Sequence, residues 1–270
     1  MFTRKFYLLG DLTAMKKIIA MLMVLAAVFA LVSCTPAEND VTGENETDVV
    51  TDNVENTDDP ADTEEIAVMT YEQFASAELE TPVTVETYIQ AKQGWWEKDG
   101  VGVATFYTQN EEGAYFIYEM PCSKEDYDEK LVTGAKIRVS GFKSAWAGEV
   151  EIIDATYEVL EGEYVAEPVD ITDKLGTEEL INYQNMLASF KGMTVEKIEY
   201  KNGEPGDDIY VTLGYNGESY NFCVEVYLTG TDSEVYQAVG ALTEGDVVNV
   251  DGFVYWYEGI NTHITSVELA

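Results

Sequence analysis

Side chains that commonly carry catalysis are scarce in this sequence. It contains one histidine, His263, and three cysteines. It has no Gly-x-Ser-x-Gly, no glycine-rich phosphate loop and no His-Glu-x-x-His, the motifs that position a nucleophile, a phosphate or a catalytic zinc. Carboxylates are numerous enough for a glycosidase-type pair, but no spacing locates one. We therefore predict that the protein is not an enzyme and holds no cofactor.

Potential metal ligands also lack a recognisable spacing. There is no Cys-x-x-Cys or His-x-x-x-His to form a zinc site. The segment 202–208, NGEPGDD, places three carboxylates on a turn-rich loop with the oxygen ligands that calcium prefers, but it lacks the EF-hand spacing. We interpret it as a solvated acidic turn and predict no metal site. Cys122 and Cys223 are predicted to be buried thiols rather than a disulfide, because each lies in a different half of the chain.

Aromatic residues are the stronger candidates for a binding site. All four tryptophans belong to a small set that also includes two tyrosines: Trp95, Trp96, Trp146, Tyr255, Trp256 and Tyr257. Exposed rings offer flat apolar faces with polar edges, which suit stacking on sugars, bases or protein side chains. The alternative is that these rings pack at domain ends or between domains. Because adjacent residues on an extended backbone point in opposite directions, at least one of Trp95 and Trp96 should be exposed.

The charge of the chain restricts its partners. The net charge is -36, and residues from Val68 onward still hold 38 Asp and Glu against 11 Lys and Arg, a net of -27. Such a surface repels phosphate backbones. We therefore expect nucleic acid to be disfavoured as a partner and a neutral or cationic ligand to be favoured.

The first part of the chain has the features of an exported protein. Residues 15–33 place two lysines before an apolar run and are predicted to be a signal peptide. The sequence Leu31-Val32-Ser33-Cys34 resembles the lipobox of bacterial lipoproteins, which implies diacylglyceryl attachment to the Cys34 thiol and cleavage before it. The alternative is a short transmembrane anchor. Residues 1–14 precede a suitable start at Met15, and we interpret them as an over-long gene prediction.

An acidic tether is predicted at residues 34–67. From Thr35 to Ala67 the chain has 12 acidic residues and no lysine, arginine or aromatic residue, so it cannot bury a core. We expect a disordered spacer that holds the following domains at the extracytoplasmic face of the cell membrane.

The rest of the chain contains an internal repeat. The segment 139–155, VSGFKSAWAGEVEIIDA, returns 111 residues later at 250–266 as VDGFVYWYEGINTHITS. Each copy predicts a strand that ends at Gly-Phe, an aromatic turn and a second strand. A repeat at this spacing predicts two domains, residues 68–165 and residues 166–270.

The elements before each hairpin follow one order. In the first half, the capping box Thr70-Tyr71-Glu72-Gln73 predicts a short helix, three strand-like segments follow, and Ser123 begins a second helix. In the second half a helix is predicted over 177–189, then three strands, then a helix beginning near Thr231. Each half thus reads strand, strand, strand, helix, strand, strand.

This order resembles the OB-fold, a five-stranded Greek-key barrel. The resemblance implies a mainly β protein with two tandem five-stranded OB-fold-like Greek-key barrels, each with a preceding helix and a helix between strands 3 and 4. Together with the lipobox, the chain resembles uncharacterised lipoproteins of Gram-positive bacteria with tandem OB-fold-like domains. The resemblance to that group implies a fold and a membrane location, but it implies no activity.

The OB-fold resemblance also suggests where a ligand binds. In this fold the loops between strands 1 and 2 and between strands 4 and 5 flank the binding face. The aromatic candidates named above fall in those loops. We therefore predict an extracytoplasmic, membrane-anchored binding module for carbohydrate or protein. The alternatives are a structural or scaffolding envelope protein without a small ligand, and nucleic-acid binding as in many OB-folds.

Overall fold

The computed structural model describes residues 67–270, which lie within one compact unit. The predicted signal peptide 15–33, the lipid attachment at Cys34 and almost all of the tether 34–67 lie outside the described residues, as do residues 1–14, and they stay predictions. Within the described range, no helix is long and apolar enough to cross a membrane.

The first sheet closes into a barrel. Its strands are β1 (Pro82–Lys92), β2 (Trp96–Lys98), β3 (Val101–Gln109), β4 (Ala114–Pro121), β5 (Ala135–Trp146) and β6 (Glu149–Glu163). They are ordered β1-β5-β6-β4-β3-β2, and β1 also pairs with β3. Five strands therefore form a closed ring, with β4 and β6 parallel and β2 as a short additional strand.

The second sheet repeats this arrangement. Its strands are β7 (Val169–Asp170), β8 (Leu187–Tyr200), β9 (Ile209–Tyr215), β10 (Glu218–Val224), β11 (Val247–Phe253) and β12 (Asn261–Leu269). The order is β11-β12-β10-β9-β8-β7, and β11 also pairs with β8 to close the ring. Strands β10 and β12 are parallel, like β4 and β6. The predicted fold of two tandem OB-fold-like barrels is confirmed, with one short strand added to each.

Short helices occupy the positions between strands. They are α1 (Tyr71–Ser76), α2 (Lys124–Glu129), α3 (Val226–Thr229) and α4 (Glu234–Gly240), with 3₁₀ helices at Thr172–Lys174 and Glu178–Tyr183. The capping box before α1 forms as predicted, because Thr70 and Gln73 each bond the other's backbone N–H. Helices α2 and α4 lie between the third and fourth barrel strands, as predicted.

The helix predicted over 177–189 is wrong. Only Glu178–Tyr183 is helical, and it is a 3₁₀ helix; the chain from Leu187 onward belongs to β8. The physical reason is that Ala188 and Phe190 lie two positions apart on this strand and are fully buried in the second barrel. The period of two therefore prevails over the helical spacing of the leucines.

Each barrel has its own apolar core. In the first, Val83, Val85 and Ile89 of β1 point inward at alternate positions. In the second, Phe190 and Phe222 meet edge to face, with ring centroids 5.1 Å apart. A third cluster of buried rings joins the two barrels, and it consists of Tyr107, Phe116 and Phe253.

Hydrogen bonds between the barrels fix their packing. The Gln109 amide oxygen accepts a bond from the Leu187 backbone N–H at 2.8 Å. The Gln184 amide donates to the Gly148 carbonyl at 2.8 Å, and the Asn185 amide donates to the Val150 carbonyl at 3.1 Å. Buried amide pairs of this kind require one relative orientation of the two surfaces. The two barrels therefore have a fixed relative orientation, and a groove opens between them where their surfaces separate.

Candidate ligand-binding cleft

A cleft of about 800 Å³ opens between the two barrels. The first barrel contributes Gln93 and residues from β4, the end of β5 and β6, and the second contributes residues from the end of β8, β9, β10, the segment after β10, the β11–β12 turn and β12. We call it the aromatic cleft because its lining includes these aromatic residues: Phe116, Tyr118, Trp146, Tyr210, Tyr227, Tyr255 and Tyr257.

Several of these rings are open to solvent. Tyr227 is 67% exposed and Trp146 is 57% exposed, and Tyr118, Tyr210 and Tyr257 are also among the exposed large side chains. Trp146 and Tyr257 contact each other at the edge of the cleft, with ring centroids 5.3 Å apart. Exposed rings in one concave surface are a common feature of ligand sites.

The structure brings together three of the six aromatic residues singled out from the sequence. Trp146, Tyr255 and Tyr257 line the aromatic cleft, whereas Trp95, Trp96 and Trp256 do not. Trp256 is half-buried, packs on the core of the second barrel, and lies against Gly148 of the first. It fills the space between the barrels. This agrees with the alternative stated above, that such rings pack between domains.

Trp95 and Trp96 point in different directions. The Trp95 ring packs over Gly102 and donates a hydrogen bond from Nε1 to the Cys122 carbonyl at 3.0 Å. Trp96, on β2, is exposed, as predicted for one of the pair. Because Trp96 lies outside the cleft, it provides an exposed ring for comparison with Trp146.

The floor of the cleft is a stack of neutral rings. Tyr255 stacks on His263 with centroids 4.3 Å apart, and the Tyr107 hydroxyl shares a 2.5 Å hydrogen bond with His263 Nδ1. Burial lowers the pKa of His263 to about 3, so the ring is neutral at physiological pH. The structure thus gives the single histidine a packing and hydrogen-bonding role.

The polar lining contains four carboxylates, which are Glu151, Glu199, Asp208 and Glu225, together with the neutral polar residues Gln93, Thr212, Asn221 and Asn261. The one basic residue in the lining is Lys201. Its ammonium already pairs with Asp208 at 2.9 Å and with Asp207 at 3.3 Å. The cleft is therefore aromatic and electronegative.

Burial raises the pKa of two of these carboxyl groups. Desolvation raises the pKa of Glu225 to about 7, and the nearby charge of Asp208 adds to the effect. Desolvation also raises the pKa of Glu151, together with the charge of Glu119. The Tyr255 hydroxyl lies near both groups, since its pKa is raised by burial and then by the charges of Glu149, Glu151 and Glu225.

Glu149 lies in the contact between the barrels. It is fully buried, and its Oε2 accepts bonds from the Trp256 N–H at 2.8 Å and the Gln184 amide at 3.4 Å. Its Oε1 and Asn185 Oδ1 find no hydrogen-bond partner among the described residues. Desolvation raises the pKa of Glu149 to about 8, so this carboxyl is mostly protonated at neutral pH.

The acidic turn 202–208 is held by its own neighbours. Asp207 accepts hydrogen bonds from the Asn202 amide at 2.6 Å and from Lys201. Cys122 and Cys223 are free and buried, and burial raises the pKa of the Cys122 thiol to about 11.

Sequence reasoning missed several lining residues, among them Tyr118, Glu151, Glu225 and Tyr227. Their positions depend on how one barrel packs on the other, which no local pattern encodes. One signal was present: Glu149 and Glu151 alternate with apolar residues in a strand, so their side chains leave β6 on the same side. Acidic residues at the buried positions of a strand indicate a contact surface or a site rather than an ordinary core.

No protein-family model matches the chain, and no curated protein does. Among solved structures, the chain is similar to a murine DNA-binding protein bound with double-stranded DNA, at 13% identity and a TM-score of 0.35, over 69% of this chain and 96% of that one. It is also similar to the Ifi202 HINa domain in complex with double-stranded DNA, at 15% identity and a TM-score of 0.33, over 71% of this chain and 98% of that one. A third is a replication protein A heterotrimer bound to single-stranded DNA, at 14% identity and a TM-score of 0.31, over 73% of this chain and 52% of that one.

These structures contradict our prediction about partners. We expected nucleic acid to be disfavoured and a membrane, carbohydrate or protein partner to be favoured, yet all three neighbours hold DNA. The prediction depended on net charge, which does not measure the stacking of bases on rings within a local groove. We withdraw it. Because the similarity is limited to the fold, a function for this chain has to be argued from the chemistry of the aromatic cleft.

Proposed function

We propose that residues 67–270 act as a non-catalytic binding module that takes its ligand into the aromatic cleft. The observation that supports this is the convergence of exposed rings from both barrels on one opening of about 800 Å³. A flat or slender ligand that stacks on those rings removes apolar area of both partners from water. A cleft of this size suits a small molecule or a few bases of a strand.

The polar groups of the cleft fit binding better than catalysis. His263 is neutral, and its Nδ1 is engaged by the Tyr107 hydroxyl. Cys223 lines the cleft, but burial raises the pKa of its thiol, which keeps the reactive thiolate scarce at neutral pH. An activated nucleophile needs an adjacent base or a lowered pKa. Neither residue has that environment.

Single-stranded nucleic acid is a second candidate for the same surface. OB-fold-like barrels with exposed rings bind strands by stacking successive bases, and the rim pair Trp146 and Tyr257 offers such a platform. The phosphates would approach Glu199 and Asp208, where Lys201 is already paired. We therefore expect any strand to bind more tightly when Mg²⁺ screens this repulsion, opposite to the usual loss of affinity with added salt.

The test uses the full chain and two probes. Adenosine, an uncharged base-bearing molecule, is titrated by NMR, and fluorescein-labelled oligothymidylate is titrated by anisotropy with and without Mg²⁺. The double variant Trp146→Ala/Tyr257→Ala removes the rim platform, and Trp96→Ala removes an exposed ring elsewhere. We expect the double variant to weaken adenosine binding by about tenfold or more, with Trp96→Ala unchanged, because each stacking contact contributes about 1–3 kcal/mol.

Each outcome separates the candidates. Oligothymidylate binding that depends on the rim rings, without adenosine binding, would make single-stranded nucleic acid the ligand class. Binding that depends on Trp96 and is indifferent to Trp146 and Tyr257 would contradict the proposal, since the site would lie outside the cleft. If neither probe binds, and no other ligand binds in a way that depends on the cleft residues, the proposal is also contradicted.

A further inference from the structure

Glu151 is a carboxylate without a partner. Its side chain lines the aromatic cleft, although the residue is only 9% exposed. No ion pair or side-chain hydrogen bond joins it to another residue of the range 67–270. A carboxylate that is mostly buried and faces a cavity without a cationic partner carries an unmatched charge, which a cationic ligand in the cleft would neutralise.

Glu225, on the other barrel, also lacks a cationic partner among the described residues. Its Oε2 accepts a bond from the neutral Gln93 amide at 3.2 Å, and no cation pairs with it within the described part of the chain. Asp208 differs, because it is already bound by Lys201 and by the Val226 N–H at 3.0 Å. The cleft therefore holds two carboxylates, one from each barrel, whose charges are not matched.

The groups around these carboxylates suit an organic cation. The charge of Glu151 contributes to the raised pKa of the Tyr118 and Tyr255 hydroxyls, after the larger effects of burial and of Glu119 for Tyr118, and of burial and Glu149 for Tyr255. Aromatic faces next to a carboxylate attract ammonium groups through the ring quadrupole as well as through charge. A metal ion is a poorer fit, because no group of three metal-ligating side chains occurs among residues 67–270.

We propose that the aromatic cleft binds a linear organic diamine or polyamine, with one ammonium on Glu151, a second on Glu225 and the methylene stem against the Tyr255 ring. Because the two carboxylates lie on different barrels, a ligand with two separated positive charges can pair with both, whereas a ligand with one positive charge can pair with only one of them. The apolar methylene stem of such a ligand can cover the ring faces, as lysine stems cover apolar surface in proteins. The ammonium groups stay with the carboxylates. This inference rests on the proposed function, since it assigns a ligand class to the same cleft.

The experiment is calorimetric titration of the full chain at low salt with spermidine and putrescine. Butanediol, which has the putrescine carbon chain without its charges, is the ligand control. The variants are Glu151→Gln and Glu225→Gln. The matched control is Glu218→Gln, an exposed glutamate of β10 outside the cleft. We expect both amines to bind, each cleft variant to weaken spermidine at least about tenfold, and Glu218→Gln to have little effect, because charge-assisted bonds are the strong ones.

Folding of the variants is checked by thermal unfolding at neutral pH. Both cleft carboxyls already have raised pKa values, so the neutral amides should fold at least as well as the parent. A loss of spermidine binding in a variant with an unchanged melting temperature therefore reports the site.

Several results would overturn the inference. Equal weakening by Glu218→Gln would show attraction to the acidic surface as a whole. Binding of Mg²⁺ with the same dependence on Glu151 and Glu225 would show a metal site instead of an amine site. Adenosine binding at Trp146 and Tyr257 without amine binding would leave the proposed function standing and reject the amine. If neither probe binds, both proposals fail.

Discussion

The two barrels share one framework and differ where they face each other. Gly141 of the first and Gly252 of the second occupy the same place in the repeat, and β-strand pairing shifts register at both. The next position differs: Phe142 is 42% exposed, whereas Phe253 is 3% exposed and stacks on Tyr107 of the first barrel. The residues that the two copies share thus form the barrel framework. The neighbouring residues that differ determine whether a position faces solvent or the other barrel.

Three further positions of the repeat show the same division. Ile152 belongs to the first core, while its counterpart His263 bonds Tyr107 across the interface. Glu149 is buried in the contact, and its counterpart is Ile260. Trp146 and its counterpart Tyr257 meet at the rim of the cleft. The corresponding positions at which the two copies differ therefore contribute to both the interface and the candidate site.

The largest effect is expected at the repeated glycines. A Cβ added at Gly252 would lie 2.4 Å from the His263 carbonyl oxygen, and one at Gly141 would lie 2.7 Å from the Ile153 carbonyl oxygen. Both obstacles include backbone, which cannot move aside as a side chain can. We expect Gly141→Ala and Gly252→Ala each to lower the free energy of unfolding by about 3 kcal/mol in urea denaturation.

Gly94→Ala is the control for these variants, because the nearest atom to its added Cβ is 4.0 Å away. It should change stability by no more than about 0.5 kcal/mol. A large loss in one barrel and none in the other would show that the shared glycines do not have a shared role, and would break the comparison.

Lys143 is expected to give the next largest effect. Its ammonium is buried and donates to three carbonyls at the end of α1, those of Phe74, Ala75 and Ala77, at 2.8 to 2.9 Å. The counterpart in the second barrel is Val254, which lies in an apolar core without such a helix. Lys143→Met keeps the stem but leaves the carbonyls without a donor, so we expect a loss of about 2 kcal/mol.

Lys197→Met provides the comparison, because Lys197 pairs with Glu199 at the surface with both side chains more than half exposed. Its effect in the same denaturation experiment should stay within about 0.5 kcal/mol. Equal effects of the two substitutions would contradict a special role for Lys143 in holding α1 to the first barrel.

The framework could be predicted from the sequence because it depends on local patterns. The alternation of Val83, Val85 and Ile89 identifies a strand, and Thr70 with Gln73 identifies the start of α1. The segment near Leu187 was misread, because Leu180 and Leu187 lie at helical spacing although Leu187 belongs to a strand. The spacing of apolar residues alone does not distinguish a helix from a strand over so short a segment.

The candidate site could be predicted only in part. Trp146, Tyr255 and Tyr257 follow from the repeat and the OB-fold loops, since turn positions are local. Glu151 and Glu225 do not, because they lie on different barrels and come together only when Tyr107, Phe116 and Phe253 pack between those barrels. Long-range packing of this kind leaves no periodic signal in either half of the chain.

The smallest stability effect, and the sharpest test of the interface, is expected at Glu149. Because its pKa in the folded protein is raised to about 8, the folded state holds a proton that the unfolded state releases near pH 4.5. Its contribution to stability is therefore fully present below that pH and is lost as pH rises through about 8. Between pH 7 and pH 9 the parent should lose about 1.4 kcal/mol that Glu149→Gln does not lose. Urea denaturation of both proteins at the two pH values measures the difference directly. Parallel pH profiles would mean that Glu149 is ionised in the folded state and that water reaches the contact between the barrels.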